Sequence, residues 1–498
     1  MKKPIVWTIA GSDSGGGAGI QADLHTFNNL GAYGCSVITA LTAQNSHSVS
    51  HIEYTSATSI LSQLQALEKD LPATAIKTGM LGNITIINAI IQGLSHYTGP
   101  LIIDPVIIST SGNYLTDPEA IHVLTSKLFP KATLITPNLP EASTLLNRTI
   151  TTPEEIEKAA RDLLSFGPKS VLIKGGHGTT TLAQDFWTDG KHSFWLSTER
   201  FSHPHNHGAG CTLSAAITAC LGMNIPLTSA VVIAKAYVTQ GLRHAQHYGQ
   251  GPGPITHGQW PESQRDLPFV TPSIISSLKP YQGFASCGPK PIGFYPIVDR
   301  ANDMEKLLTQ GVSSIQLRIK DLQGESLEQE IKQAVSLAHR YQARLFINDY
   351  WQLALRYQAY GVHLGQEDLN TADCNALAKA GIRLGISTHN YWEVARALAY
   401  QPSYIAIGPI FFTTSKPMEH TPQGIESLAR WCRTLNYPLV AIGAINEQNL
   451  QNVLATGVNG VAVISAIKNA EQPEFTAKRW LLQCDTICNP TLKSEITC

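Results

Sequence analysis

The stretch "IVWTIAGSDSGGGAGIQAD", Ile5 to Asp23, decides how the first half of this chain is read. Its first six residues are apolar or β-branched, as a buried strand requires, and they break into five glycines between Gly11 and Gly19. A strand that runs through a polar loop into a helix is one unit of a parallel α/β sheet, with its site at the strand's C-terminal edge. The glycines invite a phosphate, but the letters fit poorly. No Lys-Ser or Lys-Thr follows them, and the dinucleotide pattern is met only by Gly17, Gly19 and Ala22, several residues past the strand. A phosphate loop and a turn needing positive φ at several glycines both remain open at this point.

Working outward, the alternation of strand and helix continues to about residue 257. "AIKTGML" (75–81), "LIIDPVI" (101–107), "ATLITPN" (132–138) and "SVLIKGG" (170–176) are apolar runs that close on Gly, Pro, Asn or Asp. From Gly249 to Pro291 the chain is rich in Gly, Pro and Ser and loses its period, and the second half of that stretch reads as a linker. The pattern then restarts with tighter spacing. Eight short apolar runs, from "IGFYPIVD" (292–299) to "GVAVISA" (460–466), are separated by helix-length segments, which is what a (β/α)8 barrel needs. The expected organisation is an α/β domain over 1–262, a linker over 263–290 and a TIM barrel over 291–490.

Composition sets the limits. A chain of 498 residues exceeds one ordinary domain, and 43% hydrophobic with 15% charged residues describes a globular protein with large cores. The 36 basic and 37 acidic residues leave a net charge of −1, with no basic block for nucleic acid, so small neutral or internally compensated partners are expected. Nine cysteines, odd in number and without a C-x-x-C pair, point to a reducing compartment rather than to disulfides or zinc. The apolar run behind Lys2 and Lys3 stops at Gly-Ser-Asp, too short for a signal peptide. No other segment is long enough to span a bilayer, so the expected location is the cytoplasm.

Chemistry-capable residues cluster at strand ends in the first half. Asp104 follows a buried strand and reads either as part of a magnesium region or as a helix cap. "TPNLPEA" brings Asn138 and Glu141, oxygen donors for a hydrated Mg²⁺ or a capped turn. Lys174 ends an apolar strand before two glycines, as a point charge for a phosphate or as a snorkelling edge lysine. In "NHGAGCTLSAAITAC", Gly208, Ala209, Gly210 and Cys211 open a helix of small residues, which reads either as an anion hole of N–H groups at the positive end of its dipole or as a Gly-rich helix start with a small buried cysteine. His203, His205 and His207 alternate in "HPHNHG" without nearby Cys or carboxylate partners, which favours a solvated loop over a metal site.

Together, "AGSDSGGGAGIQAD", "TALTAQNS", "KTGMLG", "DPV", "TPNLPEA", "KGGH" and "HGAGCTLSAA" resemble hydroxymethylpyrimidine/phosphomethylpyrimidine kinase, of the ribokinase-like three-layer fold. The resemblance implies that 4-amino-5-hydroxymethyl-2-methylpyrimidine lies near Ala18, Asp23, Gln44 and Met80. ATP then lies over Asp104, Asn138, Glu141, Lys174 and the Gly208–Cys211 turn. Sugar kinases of this fold carry Asp where this chain has Cys211, so the cysteine favours the vitamin-precursor kinase. The helix start is expected to lower its thiol pKa and make it the base toward the substrate hydroxyl. Ala209 replaces the usual Thr.

In the second half, Arg318 and Lys320 close "SIQLRIK", Asn348 and Asp349 close the next run, and Asp368 follows the fourth. Two cations facing two carboxylates suggest Mg²⁺ bridging a diphosphate. Thr413, Ser415 and Lys416 lie in "GPIFFTTSKP", while Gly443, Ala444 and Ser465 follow runs seven and eight, where barrels bind phosphate through backbone amides. With "GISTH" around Ser387, this half resembles thiamine-phosphate synthase from 292 to about 485. The resemblance implies that Gln316, Arg318, Lys320, Asn348, Ser387 and Lys416 hold the diphosphate, with Mg²⁺ on Asp349 and Asp368. Thr413, Ser415, Gly443, Ala444, Val463 and Ser465 hold thiazole phosphate. Ile319 stands where many members have an acidic residue, and Ala444 replaces the second glycine of "IGGI".

The implied enzyme is bifunctional. It phosphorylates the pyrimidine alcohol twice and couples the diphosphate to thiazole phosphate, with a long linker raising local concentration. The alternative is a pyridoxine-type vitamin kinase whose barrel only binds thiamine phosphates. Both families imply a homo-oligomer.

Overall fold

The computed structural model describes residues 2–107, 115–176, 181–412 and 421–488, and the chain divides into two compact units. The first comprises Met1–Pro261 with Arg265–Leu278. Among the described residues its sheet has strands β1 (Ile5–Asp13), β2 (Tyr33–Gln44), β3 (Val49–Tyr54), β4 (Ala75–Thr78), β5 (Leu101–Ile103), β6 (Leu134–Ile135), β7 (Val171–Ile173), β8 (Leu182–Thr188), β9 (Ser193–Glu199) and β10 (Phe269–Thr271). Their order is β10-β9-β8-β7-β6-β5-β4-β1-β2-β3. The stretch from β7 to β2 is parallel, while β3 and β8 to β10 are antiparallel additions at the two edges.

The central strands β4, β5 and β7 are buried at every residue, as in a parallel sheet covered on both faces. Because β1 lies between β4 and β2, the strand order reverses around it, and a crevice opens at the C-terminal ends there. The helix Ala209–Gly222 packs behind that crevice against β1, β4 and the helices Gly19–Asn29 and Leu227–Arg243. It is buried from Thr212 to Cys220 on all sides, so its small side chains are a packing requirement.

The second unit holds Glu262–Gln264 and Lys279–Cys498. Eight parallel strands close a barrel: β11 (Gly293–Val298), β12 (Ser314–Leu317), β13 (Arg344–Asn348), β14 (Gly361–Leu364), β15 (Arg383–Thr388), β16 (Tyr404–Ile407), β17 (Leu439–Ile442) and β18 (Gly460–Val463). Closure is made by Gly293 opposite Gly460. Tyr295, Phe346, Tyr404 and Val440 pack in the interior, so the barrel is a filled core and not a pore.

The segment 263–290 does not serve as a long linker. Phe269–Thr271 adds β10 to the first sheet, Gln184 donates to the Ile275 carbonyl at 2.9 Å, and Arg243 pairs with Asp266 at 2.8 Å. Further on, Ser403 Oγ donates to the Ala285 carbonyl, Tyr360 to Cys287 and Arg344 to Lys290 and Pro291, so 285–291 lines the barrel's N-terminal end. Period-based reading missed both because neither stretch repeats. A first unit ended at residue 262 should therefore melt roughly 5 °C or more below one ended at residue 278, measured by calorimetry, because it loses the buried Val270 strand.

Candidate functional site

The glycine loop closes on its own chain. Asp13, the last residue of β1, accepts the N–H groups of Gly15 (2.8 Å), Gly17 (3.2 Å) and Ala18 (2.9 Å), and the His207 ring lies 3.1 Å from the same carboxylate. Burial pushes Asp13 up, but His207 and these N–H groups outweigh it and hold the carboxyl below the usual range. The loop's N–H groups are thereby spent on Asp13, so it does not cradle an external phosphate. Gly19, at φ +57°, would put a Cβ 2.3 Å from the Gly11 carbonyl, so only glycine fits there.

Asp23 does not reach the crevice. It is fully buried, both of its oxygens lie 2.6 Å from Lys77 Nζ, and Thr8 donates to it at 2.6 Å. Burial works against the ammonium, but Asp23 together with Cys211 and Asp104 outweighs it and keeps Lys77 above the ordinary lysine range. The sequence signal for this pair is the lone lysine inside the apolar run of β4.

The other kinase-half residues converge. Ala18, Gln44, Met80, Asp104, Asn138, Glu141, Lys174, Gly208, Gly210 and Cys211 all line one cavity of about 370 Å³. Gly208 starts the helix Ala209–Gly222 at φ +79°, and a Cβ on it would lie 1.9 Å from the Gly17 carbonyl. Lys174 stands 3.1 Å from where a Cβ of Gly210 would be, beside a helix start without a side-chain cap whose Ala209 N–H goes to the Asn206 carbonyl, and pairs with Asp104 at 2.8 Å. Asp104 is also held by Thr136 (3.2 Å) and Ser214 (3.3 Å). Asn138 and Glu141 form a capping box, each side chain taking the other's backbone N–H at 2.8 Å, so the capped turn is present. Burial, with Asp104 nearby, pushes the Glu141 carboxyl up against the pull of Lys174.

The expected lowering of the Cys211 thiol does not occur. Burial pushes it up to about 11, with Asp23 and Asp104 adding to the rise and Lys77 and the Gly19 N–H opposing it. Burial outweighs the pull of Lys77 and the Gly19 N–H. Two further cavity residues, Asp185 and Lys235, pair at 2.8 Å, and Asp185 also takes the Gly175 N–H at 2.9 Å. His203 and His205 stack at 5.5 Å, and among the described residues no cluster of His, Cys, Asp or Glu is arranged to hold a metal ion.

In the barrel a buried hydrogen-bond chain runs across the interior. Gln316 donates to Tyr295 (3.4 Å), whose hydroxyl meets that of Tyr404 (2.9 Å). Tyr404 meets His363 Nδ1 (2.7 Å), and His363 Nε2 meets Ser387 (2.8 Å). Burial lowers His363 to about 4, so it is neutral. Sequence reasoning missed His363 because it sits within the apolar run "GVHLG". At the rim, Lys320 pairs with Asp349, which has φ +65°. Burial and the facing Asp349 push Asp368 up, so these two carboxylates repel across a short gap. Asn348 and Ile319 are buried, while Arg318 is partly exposed just beyond β12. Gly443 (φ +111°) and Ala444 (φ +52°) both take the left-handed conformation after β17, and Val463 and Ser465 follow at the end of β18. Thr413, Ser415 and Lys416 lie outside the described residues.

The phosphomethylpyrimidine kinase family matches residues 13–256, and the thiamine monophosphate synthase family matches residues 294–467. The chain is 34% identical over 486 residues to a probable thiamine biosynthetic bifunctional enzyme, chloroplastic, of Oryza sativa subsp. japonica, covering 94% of this chain and 86% of that one. It is 45% identical over 258 residues to the hydroxymethylpyrimidine/phosphomethylpyrimidine kinase of Synechococcus elongatus, covering 52% of this chain and 98% of that one. The pyridoxal kinase of Staphylococcus aureus in complex with ADP superposes with a TM-score of 0.50 at 33% identity, covering 54% of this chain and 98% of that one.

Lys77→Met leaves Asp23 buried without its partner and should lower the unfolding free energy of the first unit by about 3–5 kcal/mol in denaturant titration. Ala444→Gly removes a left-handed alanine and should raise that of the barrel by about 1 kcal/mol.

Proposed function

The chain belongs to the family of thiamine biosynthetic bifunctional enzymes, and from that premise we propose how its two sites act. It is an ATP-using kinase of the hydroxymethylpyrimidine/phosphomethylpyrimidine type joined to a thiamine-phosphate synthase. The first activity carries 4-amino-5-hydroxymethyl-2-methylpyrimidine to its diphosphate. The second couples that diphosphate with thiazole phosphate to give thiamine phosphate and pyrophosphate. The pyridoxine-kinase alternative is not favoured: identity to the pyrimidine kinase is 45%, against 33% to the pyridoxal kinase, and the synthase family covers the barrel.

One observation supports the kinase site most: residues from seven separate segments, Ala18 to Cys211, line one cavity. In our reading the pyrimidine rests against Ala18, Gln44 and Met80. The phosphates of ATP meet the helix start at Gly208 to Cys211 and the Lys174 ammonium. Phosphoryl transfer has a loose transition state, so aligned N–H groups and a cation supply most of the stabilisation. The substrate hydroxyl oxygen bonds to the γ-phosphorus as the bond to ADP breaks, and its proton passes to the thiolate fraction of Cys211.

In the barrel, Asp349 and Asp368 form an oxygen donor pair whose repulsion a divalent cation relieves, which fits Mg²⁺. When bound, Mg²⁺ supplies positive charge for the departing pyrophosphate. Arg318, Lys320 and Lys416 add to that charge, while Gln316, Asn348 and the neutral His363–Ser387 pair orient the pyrimidine. The thiazole phosphate rests on Gly443, Ala444, Val463, Ser465, Thr413 and Ser415, and its ring nitrogen traps the pyrimidinylmethyl cation left when pyrophosphate departs.

The purified chain with ATP, Mg²⁺, pyrimidine alcohol and thiazole phosphate should release thiamine phosphate and pyrophosphate. Absence of product even from pyrimidine diphosphate overturns the synthase assignment. Cys211→Ala should lower kinase turnover about 100-fold or more while leaving the barrel reaction intact. Because the free thiol titrates near 11 and the thiolate is the active form, kinase kcat/KM should climb with pH and show no plateau below about pH 10.

A further inference from the structure

Asp13 and His207 lie 194 positions apart, yet they meet at 3.1 Å on the wall of the kinase cavity. Asp13 gathers the N–H groups of Gly15, Gly17 and Ala18 from the pyrimidine side. His207 immediately precedes Gly208, where the phosphate side begins. The two sides also touch through backbone. A Cβ on Gly17 would stand 2.4 Å from the His207 ring, and one on Gly208 would stand 1.9 Å from the Gly17 carbonyl. His207 is itself pinned, donating its N–H to the Gly253 carbonyl and accepting that of Ile255, both at 3.2 Å. An ionised carboxylate only accepts, so the proton of the contact sits on His207 Nε2.

We infer that His207 is a positioning residue: through Asp13 it locks the Ser14–Ala18 loop onto the Gly208–Cys211 helix start, so that filling one side of the cavity organises the other. This rests on the reading that the pyrimidine lies on the Ala18 side and ATP on the Gly208 side. Without the lock, what joins the glycine loop to the helix start among the described residues is packing at Gly17 and Gly208 and the Gly19 N–H at the Cys211 thiol, which lies beyond the Ser14–Ala18 loop. Each site then binds its own ligand without reporting to the other. The chemistry suffers with it, because the hydroxyl and the γ-phosphoryl group are held by the two parts the lock joins.

The test is the affinity of the full chain for ADP, measured by calorimetry with and without saturating pyrimidine alcohol. The unaltered chain and His207→Gln, which keeps an N–H donor at similar reach, should bind ADP about fivefold or more tightly when the pyrimidine is present. In His207→Ala and Asp13→Asn that ratio should fall to near one, while affinity for ADP alone stays within about twofold of the unaltered chain and kcat drops more than KM rises. An unchanged ratio in His207→Ala overturns the inference, as does loss of the ratio in His207→Gln as complete as in His207→Ala. If the unaltered chain does not phosphorylate the pyrimidine at all, it is the underlying assignment of the cavity that fails.

Discussion

The first unit depends on one carboxylate that satisfies its own loop. A run holding five glycines between Gly11 and Gly19 has much conformational freedom to lose, and nothing in its own side chains fixes it. Asp13 supplies the constraint by gathering three N–H groups that are otherwise left unpaired beside a cavity. Once the loop is so held, Gly17 defines where Gly208 must lie, and the helix Ala209–Gly222 brings its positive end to the cavity. Ring site and phosphate site thus share one anchor.

Charge in both units is balanced before any substrate arrives. In the kinase cavity Lys174 faces Asp104 and Lys235 faces Asp185, while Lys77 and Asp23 are sealed beneath. Around the barrel rim Lys320 faces Asp349, Arg300 faces Asp321 and Lys468 faces Asp299. The rim pairs are exposed, so water and salt screen them and an anionic ligand displaces them at small cost. The sealed pair is different in kind. Its two charges are matched only to each other, and they set the field beneath Cys211 without meeting a ligand.

Much of the architecture was legible from local pattern. Each of the eight runs after residue 292 became a barrel strand, and the four quoted runs of the first half became β4 to β7. The motif residues were legible too, since ten of them line one cavity. Pattern failed where partners are distant in sequence. Asp23 sits in a motif but turns inward, because Lys77 in β4 has no other way to be buried. Asp13 was passed over and His207 was read as part of a solvated loop, because neither has meaning without the other. Residues 265–278 looked like linker because β10 is only three residues long and pairs with β9 far upstream.

Read alone, the sequence determined the two α/β units and the chemical character expected of each site, because apolar periodicity and glycine placement act over a few residues at a time. Tertiary structure alone decided which groups remain available to a ligand. Whether a carboxylate faces a cavity, a lysine or a backbone nest depends on segments up to 194 positions away. It also decided the direction of the Cys211 shift, since burial and the Asp23 and Asp104 carboxylates, all brought there by distant segments, push the thiol up.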